Sequence, residues 1–194
     1  MAKQKQTTTE KKVNELKKKY YEEIVPEFMK KFGVKNPLAV PRIKKVVLNI
    51  GVGKEHKDAA ILEEVEKVLT QIAGQKAVFT RAKKSIAGFN VRKGDIIGVK
   101  VTLRKDRMWE FLYKFVNIVL PRVKDFKGID PDNFDKAGNY TLGLTEYLVF
   151  PEVNPVKIKN IKGISIAIVF NNSNPEYSRF ILEKLGFVFK NKIG

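Results

Sequence analysis

Within residues 96–104, the stretch from Val99 to Arg104 alternates without a break, with Val99, Val101 and Leu103 on one side and Lys100, Thr102 and Arg104 on the other. Strand side chains point to opposite faces with period two, so the segment predicts a β-strand with one apolar and one polar, basic face. A strand covered on both sides would need a near-continuous apolar run, so this one belongs to a sheet with one face packed and one open. Residues 43–52 repeat the pattern, Val46, Leu48 and Ile50 against Lys45, Val47 and Asn49.

Helical periodicity supplies the packed side. In residues 58–73 the set Ile61, Leu62, Val65, Val68, Leu69 and Ile72 forms one helical face, and Gly74 closes it. Near the N-terminus Leu16, Tyr20, Ile24 and Phe28 recur every four residues; Pro26 is expected to kink or break that helix, Gly33 to stop it, and Asn36-Pro37 to open a loop. Asp106 is expected to cap a third helix whose stripe, Trp109, Leu112, Phe115, Val116 and Val119, ends at Pro121. Residues 76–81, 141–150 and 164–170 read as further strands, 124–140 as a long surface loop, 171–175 as a turn and 176–185 as a last helix. Residues 82–95, with Lys83, Lys84, Ser85, Arg92 and Lys93, carry too many charges to be buried and read as a projecting basic hairpin or long loop. The expected fold class is α+β: a single domain with a largely antiparallel sheet, helices packed on one face and a projecting basic loop. Residues 1–12 are expected to be a disordered basic arm, with Thr7 and Glu10 at capping-box spacing, and residues 13–194 a single α+β domain.

The charge limits the partner. Lys and Arg number 38 against 21 Asp and Glu, a formal +17, far beyond what solubility requires. Such self-repulsion favours a polyanion, and nucleic acid binding is driven by counterion release as phosphates are neutralised. An anionic membrane is the competitor, but residues 111–120, the most apolar stretch, are interrupted by Lys114 and Asn117, and Met1 to Thr9 lack the apolar core of a secretory signal. An intracellular location is the default expectation. With no cysteine, disulfides, thiolate zinc sites and cysteine nucleophiles are excluded.

No enzyme signature emerges. Gly51, Gly53 and Lys54 superficially suggest a phosphate loop, but the spacing is wrong and Glu55 stands where Ser or Thr is needed, so a strand-end turn is favoured. His56, the only histidine, has no serine or carboxylate at a recognised spacing. Glu63 with Glu64, and Asp130 with Asp132, lie outside any ligand-spaced loop and read as solvated faces. No catalytic residue, metal site or cofactor is expected.

Arg81, Lys83, Lys84, Arg92 and Lys93 on one protruding element favour phosphate contact over mere solvation. Phe79 and Phe89 beside them could stack on bases, but strand-end aromatics favour a core role. Arg104, Lys105 and Arg107 could form a second phosphate site, or could equally complement nearby carboxylates.

The ordered strings VPRIKKVVLNIGVGKEHKDAAILEEV, TQIAGQKAVFTRAKKSIAGFNVRKGDIIGVKVTLRKDRMWEFL and LPRVKDFKGIDPDNFDKAGNYTLGLTEYLVFPEV closely resemble the large-subunit ribosomal protein five family, of bacterial type, over most of the chain. The resemblance implies a non-enzymatic protein that binds 5S rRNA and anchors it to 23S rRNA in the central protuberance, among other ribosomal proteins of that region, in the cytoplasm. It implies that the open sheet face meets 5S rRNA, the polar positions of LNIG, GQK and KVTL carrying over as Asn49, Gln75 and Thr102. It further implies that the loop holding Thr80, Arg81, Ala82, Lys83, Lys84 and Ser85, and with it Arg92 and Lys93, reaches P-site tRNA, and that the protein bridges to a small-subunit head protein. The sequence departs from the family at its longer N-terminus, at Gly163-Ile164-Ser165 and at the turn from Asn171 to Asn174.

Overall fold

The computed structural model describes residues 15–55, 57–155, 158 and 160–190. The expected N-terminal arm and its capping box lie outside the described residues, as does His56. Among the described residues, four α-helices of eight residues or more, α1 (Val25–Phe32), α2 (Ala59–Ala73), α3 (Lys105–Lys114) and α4 (Pro175–Lys184), accompany five strands, β1 (Arg42–Gly51), β2 (Val78–Arg81), β3 (Ile96–Leu103), β4 (Tyr140–Leu144) and β5 (Ile164–Asn171). The strands form one sheet in the order β2-β3-β1-β5-β4, and the architecture is α+β with an antiparallel sheet.

The described residues divide into two compact units, one drawn from residues 47–103 and 143–166, the other from residues 15–46, 104–142 and 167–190. In the first, α2 packs on β3. Asp58 starts α2 by accepting the backbone N–H groups of Ala60 and Ile61, and Gly74 ends it at φ +62. Its buried face, Leu62, Val65, Val68, Leu69 and Ile72, is the predicted one except that Ile61 is only half-buried. On β3, Val99, Val101 and Leu103 are buried while Lys100 is exposed, so the alternation seen in the sequence is realised as two faces. Gly98 lets the neighbouring strand approach, since a Cβ there would lie 2.7 Å from the Ile50 carbonyl oxygen.

In the second unit, Leu16, Tyr20, Ile24 and Phe28 are all buried, as their spacing predicts. Pro26 does not break the helix. A π turn, Tyr20–Ile24, precedes it, the Val25 N–H reaching back to the Tyr20 carbonyl. The same device recurs before Pro121: a π turn at Phe115–Val119 leads into a further helical turn, Leu120–Arg122, instead of the expected stop. A proline lacks the N–H for the i−4 carbonyl and its ring crowds that carbonyl, and each widened turn lies over that position.

Asp106 is not the cap of α3. Arg104 occupies the N-cap position without a side-chain bond, and Asp106 sits in the first turn, 2.9 Å from the Lys17 ammonium. The strand expected over 141–150 ends at Leu144, because a 3-10 turn, Tyr147–Val149, buries Tyr147 and directs its hydroxyl onto the Asn160 carbonyl at 2.6 Å. Burial raises that phenol to about 12, so it stays a neutral donor. The long loop between α3 and β4 is fastened at its middle, Ile129 N–H donating to the Val188 carbonyl and Lys190 N–H to that of Ile129.

Candidate nucleic-acid interface

The open side of the sheet is built by the strand period. Asn49 is exposed between buried Leu48 and Ile50 on β1, and Thr102 is half-buried between buried Val101 and Leu103 on the adjacent β3. Gln75, in the turn after α2, donates from Nε2 to the Thr102 carbonyl over a long 3.4 Å. The three polar positions named from the sequence thus come from β1, β3 and the turn leaving α2, and two of them touch although 27 residues apart.

β2 extends this face. Val78 lies opposite Lys100 and Thr80 opposite Gly98, and directly paired residues point the same way. The face therefore presents Asn49, Thr80, Lys100 and Thr102 with exposed Val78, so hydrogen-bonding groups outnumber charges there. Phe79 pairs with fully buried Val99, which places it half-buried on the core side, as expected.

The basic loop is braced at its base. Ala82 N–H donates to the Asp95 carbonyl at 2.8 Å, and Gly94 N–H to that of Ala82 at 2.9 Å. Arg81 Nη1 donates to the Gly94 carbonyl at 3.0 Å, and Asp95 Oδ2 accepts the Arg92 N–H. The Ser85 hydroxyl oxygen accepts the Lys93 N–H at 2.9 Å, so Ser85 positions the loop backbone. An Ile86–Val91 bridge continues to the tip, a 3-10 turn, Ala87–Phe89, closed by Asn90 at φ 57. Lys83, Lys84, Arg92 and Lys93 are exposed on this frame.

Phe89 corrects the sequence reading. It is 73% exposed, not core, because it belongs to the apex turn and not to a strand end. An exposed ring at the tip of a loop that also carries four exposed cations is suited to stacking on an unpaired base.

The other chemical candidates are engaged structurally. Gly53 to Glu55 form a 3-10 turn, and the Glu55 carboxylate pairs with Lys162. Glu63 pairs with Lys67 at 3.4 Å, and Asp130 Oδ1 accepts the Asp132 N–H at 2.9 Å. Among the described residues no group of His, Asp or Glu could hold a metal ion, and no helix is long and apolar enough to cross a membrane.

Residues 36–92 match the family model described as ribosomal protein L5, and residues 96–189 the model for the C-terminus of the same ribosomal family. The chain is 54% identical over 175 residues to the large ribosomal subunit protein uL5 of Fervidobacterium nodosum, covering 90% of this chain and 95% of that protein. It is 51% identical to uL5 of Kosmotoga olearia and 50% identical to uL5 of Thermus thermophilus, each over 90% of this chain and 96% of the relative.

Proposed function

The chain belongs to the ribosomal protein L5 family, a structural and non-enzymatic constituent of the large ribosomal subunit, and from that premise we propose that its open sheet face binds 5S rRNA through Asn49, Gln75 and Thr102. The protein then anchors 5S rRNA to 23S rRNA in the central protuberance, alongside other proteins of that region. The braced loop with Thr80, Arg81, Lys83, Lys84, Ser85, Arg92 and Lys93 contacts P-site tRNA, and the protein bridges to a small-subunit head protein.

The observation that carries the 5S assignment is the character of the open face. Phosphate contacts set affinity and register but carry no sequence information directly. Selecting one RNA requires donors and acceptors for 2′-hydroxyls and base edges, which Asn49, Thr80, Gln75 and Thr102 offer. The protein, mixed with total RNA at physiological salt, is expected to enrich 5S rRNA over tRNA. Equal retention of the two would sink the assignment.

The loop predicts a separate effect. Lys83→Gln with Lys84→Gln is expected to weaken tRNA binding to ribosomes several-fold and leave 5S retention within about twofold, because each exposed cation removes roughly one phosphate contact. Equal losses on 5S rRNA and tRNA would refute this division of labour.

A further inference from the structure

The outer edge of β2 has no part in that reading. Among the described residues β2 has β3 on one side and no strand on the other. The backbone groups it leaves open follow from the bonds around it. Gln75 reaches the Thr102 carbonyl from the β2 side, and alternate residues of a strand aim their N–H and C=O groups at opposite edges, so Thr102 and Lys100 face β2. Val78, paired with Lys100, therefore turns its backbone inward to β3, and Ala77 and Phe79 turn theirs outward. The Ala77 N–H agrees, since it leaves the sheet for the Thr70 hydroxyl on α2 at 3.1 Å. Ala82 is again bonded inward, to Asp95 and Gly94, which leaves Arg81 outward. Phe79 and Arg81 thus present an open hydrogen-bonding edge.

Beside this edge lies an open groove of about 590 Å³, lined by Glu63, Glu66 and Lys67 of α2 and by residues 76–79. It belongs to one unit. Its rim is apolar, with Val78 59% exposed and Phe79 half-buried. Its wall is acidic in a chain of +17: Glu63 pairs with Lys67, but Glu66, half-buried, has no ion-pair partner among the described residues. A partly buried, unpaired carboxylate favours an incoming cation and repels phosphate. A second copy of the chain is a poor occupant, because two +17 chains repel and Lys76 and Arg81 flank the edge, a placement that opposes pairing of identical strands.

We propose that an extended, basic segment of another protein adds to the sheet along β2, its backbone bonded to Phe79 and Arg81. An apolar side chain of that segment packs on Phe79, and a lysine or arginine two residues away, on the same face, meets Glu66. Main-chain bonds supply affinity and the groove supplies selectivity. The inference goes beyond RNA binding: it uses the backbone of β2 and a carboxylate of α2, and none of the side chains assigned to RNA.

The test presents the full chain, at physiological salt, with short blocked peptides of alternating valine and threonine that carry lysine, glutamate or glutamine at each position in turn. Lysine in place of a valine is expected to bind at least about fivefold tighter than glutamate there, the reverse of what net charge alone gives a +17 chain. Glu66→Gln is expected to erase that preference, hold the glutamine peptide as the parent does and unfold at the parent's temperature. N-methylation of the peptide amides on one alternation is expected to cost about tenfold or more, and on the other alternation little, because only one set faces β2. Tighter binding of the glutamate peptides, equal losses from both methylation patterns, or retention of no peptide would overturn the proposal. Displacement of the lysine peptide by 5S rRNA, with Glu66→Gln without effect, would also overturn it by assigning the groove to the RNA surface.

Discussion

Asn49→Glu is expected to reduce 5S rRNA affinity by about 100-fold or more, whereas Asn49→Ala should cost only about fivefold. Truncating one polar contact removes on the order of 1 kcal/mol. A carboxylate at the same place does more: it loses the amide donor and sets a negative charge against phosphates, a juxtaposition that costs several kcal/mol. Asn49 is exposed between buried neighbours on β1, so neither change should disturb the core, and thermal unfolding should stay within about 2 °C of the parent. The gap between the two variants is the informative quantity. If glutamate and alanine weakened 5S binding equally, Asn49 would lie outside the RNA contact.

The steepness of that expectation rests on a face whose polarity is legible in the residues alone. The alternation from Val99 to Arg104 and from Val46 to Asn49 specifies which residues leave the core, because period two admits only one assignment once one side is apolar. The limits of α2 are equally legible, Asp58 and Gly74 being chemically suited to the two ends of a helix. What stays hidden depends on partners far away in the chain. Asp106 has the composition of a cap, yet Lys17, 89 residues earlier, claims its carboxylate. Tyr147 sits in a β-like run, but its hydroxyl bond to Asn160 commits the chain to a turn. Pro26 and Pro121 signal a break under local rules, and only the helix register shows that a π turn takes its place.

The proposed surfaces divide along the same line. The loop cations are contiguous in sequence, so their clustering can be read directly, although the exposure of Phe89 cannot: an aromatic near a strand looks the same whether it enters the core or caps a tip. The open basic crevice lined by Lys17, Arg42, Lys44, Arg104 and Lys105 needs three segments brought together. The sequence holds one usable hint, the adjacent Lys44 and Lys45 that interrupt clean alternation, and the burial pattern of β1 does skip a position between Ile43 and Val46. Net charge announces that cations are plentiful, and topology decides which of them converge.

Gly138→Ala should be among the most destabilising small substitutions in the chain, costing about 3 kcal/mol. Gly138 has φ +75, where an L-residue pays roughly 1–2 kcal/mol. A Cβ there would lie 2.6 Å from the Asn174 carbonyl oxygen and 2.8 Å from Ser178 Oγ, and such overpacking adds roughly 1–3 kcal/mol. Neither neighbour can move freely. The Asn174 carbonyl accepts the Ser178 N–H and its side chain accepts the Tyr177 N–H at the start of α4, while Ser178, fully buried, bonds to Ser173 at 2.6 Å. The turn itself is equally constrained: Asp135 Oδ1 accepts the Asn139 N–H, Asp135 Oδ2 accepts the Asn139 amide, and Asn139 Oδ1 accepts the Phe170 N–H on β5. Those bonds from Asn139 hold the Asp135 carboxyl below its usual range. The strain must therefore be absorbed by α4 or by the end of β5, both in the same unit as Gly138. In thermal unfolding the variant should show a midpoint lower by roughly 6–12 °C, at about 2–4 °C per kcal/mol for a chain of this size. A loss below about 1 kcal/mol would mean that the turn from Asp135 to Asn139 yields, and that it does not lock the start of α4 as its geometry implies.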